Sequence, residues 1–207
     1  MANNGRTIVK VKGISKHFPG VQALYKVDLK VERGQIHALV GENGAGKSTL
    51  MKILSGIYHP DEGEIFFQGQ QVHFRNARDA LNTGISTIYQ ELLLCPNLRV
   101  AENIFLGREP TRNFLLQRTQ VFDQCQSDLD KMGFGDLDPR ARISDLTVAQ
   151  RQMVEIAKAL HLDNDLIIMD EPTSSLTPTE VERLFQTMRQ LKERGKGIIF
   201  ISHRLDE

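Results

Sequence analysis

The sequence predicts an α/β fold with a mainly parallel sheet, and three observations support this. Apolar segments typical of strands alternate with segments of helical periodicity along the 207 residues. One apolar segment, residues 36–40, runs directly into a glycine-rich loop that a helix is expected to follow. Another, residues 166–169, ends in two carboxylates, Asp170 and Glu171. Strands separated by helices are typical of parallel sheets, which bind ligands beyond the carboxyl ends of their strands.

The composition is that of an ordinary globular protein. Hydrophobic residues make up 40% of the chain and charged residues 25%, which suffices for a sizeable core. The 26 basic and 26 acidic residues cancel, so no nucleic-acid partner is expected. Cys95 and Cys125 predict neither a disulfide framework nor a metal site. No apolar run approaches the roughly 20 residues of a membrane span and no signal-peptide core is present, which predicts a soluble cytoplasmic protein.

Strands dominate the amino-terminal part of the chain. Alternating or continuous apolar patterns predict strands at residues 7–11, 24–31, 36–40, 64–67 and 85–89. Arg33-Gly34, residues 61–63 and Gly69-Gln70 have the composition of turns, which predicts an antiparallel β subdomain near the amino terminus. Residues 36–40 are expected to form a buried strand, and residues 47–55 the helix that follows the loop.

Helical patterns dominate the middle of the chain. Residues 91–160 are expected to form a helical insertion between two strands of the parallel sheet. Four apolar residues of this insertion share one helical face: Met153, Ile156, Ala157 and Leu160. Residues 179–194 predict an amphipathic helix that ends at Gly195, and residues 198–201 a last strand.

The chain ends at Glu207, six residues after that last strand. We therefore expect one domain, residues 1–207, that is incomplete at its carboxyl end. The last strand of such a domain would have fewer neighbouring strands, which should lower its stability.

The glycine-rich loop has the pattern of a phosphate-binding loop. Residues 41–48 match G-x-x-x-x-G-K-[ST] without a mismatch, between a predicted strand and a predicted helix. Glycines let the backbone wrap closely around phosphates, and the helix directs its positive N-terminus at them. Lys47 is expected to reach the terminal phosphates and Ser48 to coordinate Mg²⁺. The pattern predicts a P-loop NTPase fold, in which the expected ATP-binding residues are Gly41, Glu42, Asn43, Gly44, Ala45, Gly46, Lys47, Ser48 and Thr49.

Polar residues at the ends of other strands predict the rest of the site. Asp170 is expected to hold Mg²⁺, directly or through water, and Glu171 to act as general base toward the attacking water. His203 follows the last strand at the same sheet edge, where it can hydrogen-bond the γ-phosphate or that water. Gln90 follows the strand at residues 85–89, and its amide can accept from water or ligate a metal.

The order of these motifs resembles the ATP-binding domain of ABC transporters over nearly the whole chain. The elements are the phosphate loop, Gln90, a signature segment at residues 146–150, the strand ending at Asp170, Glu171, a D-loop at residues 174–177 and His203. The resemblance implies catalytic roles for Gln90 and His203, and adds Gln90 to Ser48 and Asp170 at the metal. It also implies that Phe18 stacks on adenine; the alternative for Phe18 is a core residue of an edge strand.

The signature segment departs from the family's usual Leu-Ser-Gly-Gly-Gln. Its residues here are Leu146, Thr147, Val148, Ala149 and Gln150. The resemblance implies that the segment contacts the γ-phosphate held by a second ATPase domain. Thr147 keeps the hydroxyl, whereas Val148 and Ala149 add bulk where glycine permits close approach. Two interpretations stay open: a weakened or tuned second site, or a pattern normal for the subfamily.

Three segments, residues 16–24, 40–52 and 152–160, are similar to the ATPase subunits of bacterial monosaccharide importers of the ribose, galactose or xylose type. Those subunits carry two such domains in tandem, and this chain resembles the first. The resemblance implies a motor domain at the cytoplasmic face of the inner membrane that couples hydrolysis of ATP, with Mg²⁺, to sugar uptake. The implied partners are a second ABC ATPase domain, membrane permease subunits and, indirectly, a sugar-binding protein.

Two other functions fit parts of the sequence. A P-loop small-molecule kinase would suit the chain length, but it needs arginines that clamp a second substrate rather than a signature segment or His203. A non-transport ABC-type ATPase acting in translation or DNA repair is disfavoured by the neutral charge and by the importer-like segments.

Overall fold

The computed structural model describes residues 6–42, 44–109, 111–112, 115–116 and 118–204, which group into two compact units. The first unit takes its described residues from Met1–Thr87, Asn164–Glu171 and Met188–Glu207, and the second from Ile88–Asp163 and Pro172–Thr187. The second unit thus contains residues 91–160, for which a helical insertion is predicted, and extends beyond them.

The elements alternate between strands and helices in the manner of an α/β protein. The strands are β1 (Thr7–Phe18), β2 (Val21–Glu32), β3 (Ile36–Val40), β4 (Glu62–Phe67), β5 (Gln70–Val72), β6 (Ile85–Ile88), β7 (Thr111–Arg112), β8 (Leu115–Leu116), β9 (Leu166–Asp170) and β10 (Gly197–Ser202). The helices are α1 (Lys47–Leu54), α2 (Ala77–Thr83), α3 (Val100–Ile104), α4 (Arg118–Lys131), α5 (Val148–His161) and α6 (Pro178–Glu193). In the described part of the chain, no helix combines the length and the apolar character that crossing a membrane requires.

The predicted antiparallel subdomain is a four-stranded sheet in the order β2-β1-β4-β5. Val9 pairs with Val31 and Val11 with Leu29 across the β1–β2 ladder, and all four side chains are buried. The hairpin predicted at Gly69-Gln70 is confirmed, because β4 ends at Phe67, β5 begins at Gln70 and the two strands pair antiparallel. Alternation of apolar residues therefore supplies one buried face of this sheet.

The turn predicted at residues 61–63 is wrong, because Glu62 and Gly63 belong to strand β4. The pairing of β4 with β1 shifts register between Lys12 and Ser15, opposite this point. Gly63 has a φ of +96°, and a Cβ added there would lie 2.5 Å from the carbonyl oxygen of Lys12. The glycine therefore serves an irregularity where two backbones approach closely, and not a reversal of the chain.

The parallel core sheet is confirmed, with the order β3-β10-β9-β6 and parallel ladders on both sides of β10. The expectation that the last strand has few neighbours is wrong, since β10 lies between β3 and β9 and all its residues are buried. The predicted burial of β3 is wrong as well: none of its residues is buried, and Val40 is 48% exposed. β3 stands at one end of the described strand order. The order of strands along the chain does not specify which strand takes that place in the sheet.

The main helices follow their sequence patterns closely. The predicted apolar face of α5 is confirmed by the burial of Met153, Ile156, Ala157 and Leu160. Helix α6 lies within one residue of its predicted bounds at each end. Gly195 follows it with a φ of +81°, and its N–H donates to the carbonyl of Lys192. The short strands β7 and β8, in which Thr111 pairs with Leu116, have no counterpart in the sequence prediction.

Candidate functional site

The phosphate loop connects the end of β3 to the start of α1. Gly44 and Gly46 have φ values of +85° and +88°, a backbone conformation that residues other than glycine rarely adopt. The N–H of Ala45 donates to the carbonyl of Glu42 at 3.2 Å, and the N–H of Leu50 donates to Gly46 at 2.9 Å. The loop thus turns tightly into a helix whose first N–H groups lack intrahelical partners, the arrangement that binds phosphate.

Gly46 is required by the contact between the loop and strand β2. A Cβ at this position would lie 2.6 Å from the carbonyl oxygen of Ala23 and 2.7 Å from Cδ2 of Leu24. Both distances are far below van der Waals contact, so only glycine fits. Because Phe18 pairs with Val21 where β1 meets β2, this contact brings the Phe18 end of the hairpin beside the loop. Asn43, also predicted to bind ATP, lies outside the described residues.

The Lys47 ammonium lies against the loop itself. Its Nζ donates to the carbonyl oxygen of Gly41 at 2.5 Å and to that of Glu42 at 2.9 Å. A positive charge is therefore held among backbone groups, close to where the helix N-terminus adds its own partial charge.

Asp170 and Ser48 meet at the carboxyl end of β9. Asp170 is 8% exposed, and the Ser48 side chain is hydrogen-bonded to its carboxylate. Burial and the neighbouring Glu171 raise the pKa of Asp170, whereas Ser48, Lys52 and Lys47 act in the opposite direction. Burying an ionised carboxylate is costly unless cations compensate.

The same pair of residues fits a magnesium ion. A hydroxyl and a carboxylate are hard oxygen ligands, and Mg²⁺ is commonly held by one or two such side chains together with phosphate oxygens. Among the described residues, no group of three or more His, Cys, Asp or Glu side chains could hold a metal without such help.

Glu171 and His203 contact one another although they are distant in sequence. Nδ1 of His203 lies 3.2 Å from Oε1 of Glu171, with the histidine side chain 55% exposed and that of Glu171 16% exposed. Nδ1 is thus the ring nitrogen of His203 that faces the Glu171 carboxylate. Glu171 has a φ of +48°, and its N–H donates to Ile201 on β10. Such backbone strain in a non-glycine residue is typical of functional sites.

Phe18 ends strand β1, which lies inside its sheet and not at the edge. Its ring packs edge-on against Tyr58 with centroids 5.3 Å apart, and Nζ of Lys16 lies 5.6 Å from the Phe18 centroid. The N–H of Tyr58 donates to the carbonyl of Lys52 at 3.0 Å, which attaches Tyr58 to the end of α1. Phe18 is thus half-buried beside the helix that the phosphate loop begins.

Sequence reasoning missed Tyr58 and Lys52. Lys52 lies in α1, and its positive charge lowers the pKa of Asp170. Nζ of Lys52 is 5.5 Å from the Tyr58 ring centroid. The available signal was modest: a lysine in the helix that carries the phosphate-loop Ser48, and an aromatic residue just after that helix.

Gln90 and the signature segment lie in the second unit. Thr147 is the N-cap of α5: its hydroxyl oxygen accepts from the N–H of Gln150 at 3.2 Å, while the Gln150 side chain accepts from the N–H of Thr147 at 3.0 Å. This capping box leaves the helix N-terminus at the surface, where Val148 is 56% exposed. The segment can therefore offer a hydroxyl and helix N–H groups to an external anion.

Comparison with known proteins identifies a matching family and relatives of known name. Residues 24–174 match the family described as ABC transporter. The chain is 54% identical to the ribose import ATP-binding protein RbsA 1 of Rubrobacter xylanophilus, over 98% of this chain and 40% of that protein. It is 49% identical to the galactose/methyl galactoside import ATP-binding protein MglA of Escherichia coli, over 99% of this chain and 40% of that protein. The chain therefore spans about two fifths of the length of these relatives.

Solved structures share the fold. The ADP conformation of MJ1267, an ATP-binding cassette of an ABC transporter, superimposes with a TM-score of 0.81 at 26% identity, over 97% of this chain and 82% of that one. A dimeric structure of MJ0796, a bacterial ABC transporter cassette, gives a TM-score of 0.83 at 24% identity, over 96% of this chain and 89% of that one. The second likeness concerns the fold alone.

Proposed function

This chain belongs to the ABC transporter family of ATP-binding domains, and from that premise we propose that it binds Mg-ATP and hydrolyses it to drive sugar import. The observation that carries the proposal is the assembly of two contacts, Ser48 with Asp170 and Glu171 with His203, at the edge of one parallel sheet. One contact suits a metal-bound triphosphate, and the other suits the activation of a water molecule.

In the proposed binding step, the triphosphate lies along the loop and the N-terminus of α1. Lys47 exchanges its contacts with the Gly41 and Glu42 carbonyls for the β- and γ-phosphate oxygens. Ser48 and Asp170 would hold Mg²⁺, which when bound neutralises developing charge on the phosphate oxygens. Phe18, held by Tyr58, offers a ring face to adenine, and base–aromatic stacking contributes about 1–3 kcal/mol.

In the proposed chemical step, Glu171 accepts a proton from water as the water oxygen bonds to the γ-phosphorus. The bond between that phosphorus and the bridging oxygen breaks, which leaves ADP and inorganic phosphate. His203 donates from Nδ1 to Glu171 and so orients its carboxylate. We also propose a catalytic and metal-binding role for Gln90, which belongs to the second unit.

Replacing Lys47 with Ala tests the binding step. We expect the affinity for Mg-ATP to fall tenfold or more, about 1.4 kcal/mol, because the triphosphate loses a positive charge held at the loop. Isothermal titration of the 207-residue chain measures this, with Lys10→Ala, an exposed lysine of β1, as a charge-matched control. Equal affinities for the Lys47 variant and the control would contradict the assignment of the phosphate loop.

We further propose that the activity serves a sugar importer. The relatives are named as ribose and as galactose/methyl galactoside import ATP-binding proteins, and each is longer than this chain. The proposed partners are a second ABC ATPase domain, permease subunits in the membrane and a sugar-binding protein that acts through them. The proposed location is the cytoplasmic face of the inner membrane.

The second ATPase domain is proposed because the signature segment lies at an exposed helix N-terminus, suited to a phosphate held by another molecule. A partner on the same chain would act at an effective concentration in the millimolar range. For the 207 residues alone, the partner must be another copy, so we expect slow hydrolysis whose specific activity falls on dilution. Specific activity at saturating Mg-ATP across a roughly hundredfold dilution measures this, and a brisk rate per molecule that stays constant would contradict the two-domain site.

A further inference from the structure

The peptide of Leu93, three residues after Gln90, is held from both sides by side chains of helix α5. Its N–H donates to Oε1 of Glu155 at 2.6 Å. Its carbonyl oxygen accepts from Nζ of Lys158 at 3.1 Å. That Nζ also lies 3.9 Å from Oε2 of Glu155, so the two side chains and the peptide form a closed set of contacts.

Glu155 is a buried carboxylate in an apolar part of the helix. It is 9% exposed and lies between Val154 and Ile156, both fully buried. Burial raises the pKa of Glu155, and Lys158 together with the Leu93 N–H opposes that shift. Burying such a group is costly, and packing alone would be served better by an apolar side chain. Both compensating groups also connect to the Leu93 peptide, since Lys158 bonds its carbonyl oxygen, and Leu93 itself is 56% exposed.

The position of this contact on α5 connects it to the signature segment. Helix α5 runs from Val148 to His161 with Thr147 as its N-cap, and Glu155 lies about two turns along it. A helix of 14 residues within a packed unit moves as a rigid body over such a distance. The Leu93 peptide is therefore attached to the same rigid element that presents the signature.

We propose that Glu155 and Lys158 are positioning residues that hold the segment after Gln90 to helix α5, so that Gln90 and the signature segment shift together. This inference rests on the proposed ATPase function, because it concerns how two parts of that site are coordinated. Charge-assisted hydrogen bonds suit the role, since they are shorter and about twice as strong as neutral ones. Neither residue touches ATP in this proposal, and each acts through the Leu93 backbone.

The test compares kcat, KM and amide exchange at Leu93 in four variants of the 207-residue chain, assayed at one protein concentration. Glu155→Leu removes the acceptor, Glu155→Gln keeps an oxygen that accepts from Leu93, and Lys158→Met removes the second contact. Asp128→Asn is the control. Asp128 lies in α4 and contacts His161, which belongs to α5, at 3.1 Å without involving Leu93.

We expect faster exchange of the Leu93 amide in Glu155→Leu, and a kcat lower by about tenfold with KM within about twofold of wild type. Glu155→Gln should recover most of kcat, since a neutral acceptor restores the hydrogen bond to the peptide. Lys158→Met should lower kcat in the same direction, and Asp128→Asn should leave it unchanged.

Different results would overturn different statements. A wild-type chain that neither binds nor hydrolyses ATP overturns the proposed function, and this inference with it. An active wild type with an unchanged kcat in Glu155→Leu, despite faster Leu93 exchange, overturns only the inference. An equal loss of kcat in Asp128→Asn would show that any weakening of α5 has the same effect, which also overturns it. If Glu155→Leu fails to fold, the Lys158→Met and Glu155→Gln results decide between these outcomes.

Discussion

ATP turnover should fall by about 10²-fold or more when Glu171 is replaced with Gln, while ATP remains bound. Glutamine keeps the size of the side chain and can still accept a hydrogen bond from His203, but it cannot take a proton from water. The contact of 3.2 Å between Nδ1 of His203 and Oε1 of Glu171 should therefore persist in the variant. Phosphate release at saturating Mg-ATP measures turnover, and isothermal titration measures binding.

Glu64→Gln is the matched control for this substitution, because Glu64 is an exposed residue of β4 that contacts Gln71. It should hydrolyse ATP at the wild-type rate. If Glu171→Gln also kept that rate, the general base would be another group. His203 would be the first candidate, because it contacts Glu171. Loss of binding in Glu171→Gln would instead show that the carboxylate holds the nucleotide.

The substitution Gly46→Ala should lower both the stability of the chain and its affinity for ATP. Alanine in the left-handed region costs roughly 1–2 kcal/mol, and forcing a methyl group into a packed site adds about 1–3 kcal/mol. The new Cβ would lie 2.6 Å from the Ala23 carbonyl, a backbone atom that cannot rotate away. The loop must then separate from β2, which displaces the N–H groups that are to meet the phosphates.

Gly44→Ala separates strain from crowding. Gly44 has nearly the same φ, +85°, but a Cβ there would meet no atom within 4 Å. This variant should lose only the conformational part, about 1–2 kcal/mol. Urea denaturation compares the two, since a loss of a few kcal/mol moves the midpoint by about 1–2 M. Equal losses for both glycine variants would contradict the close contact between Gly46 and strand β2.

Local sequence patterns were sufficient for much of the fold. The P-loop pattern predicted a strand, a glycine turn and a helix at Lys47, because tight wrapping around phosphate demands those residue types at that spacing. The apolar run before Asp170 predicted a strand that ends in carboxylates, and the structure has β9 there with every residue buried. Periodicity of 3.6 residues was enough for α5 and α6, since one buried stripe defines such helices.

The roles of the predicted site residues remain proposals, but the sequence did place most of the relevant groups at strand ends. It could not indicate that Glu171 and His203 are in contact. Strands that end at the same sheet edge bring their last residues into one region, but this does not specify the distance between two side chains. It likewise gave little reason to select Tyr58, Lys52 or Glu155, whose partners lie far away along the chain or belong to its backbone.

Sequence alone thus determined the phosphate loop, helices α1, α5 and α6, and the family to which the chain belongs, because each depends on neighbours within a few residues or on a fixed order of motifs. Tertiary structure alone decided that β10 is an interior strand and β3 is half exposed. It also decided that Gly63 lies in an irregular strand and that Gly46 packs against Ala23. The physical reason is that strand order and close backbone approach arise from non-local packing, in which residues far apart in the chain compete for the same space.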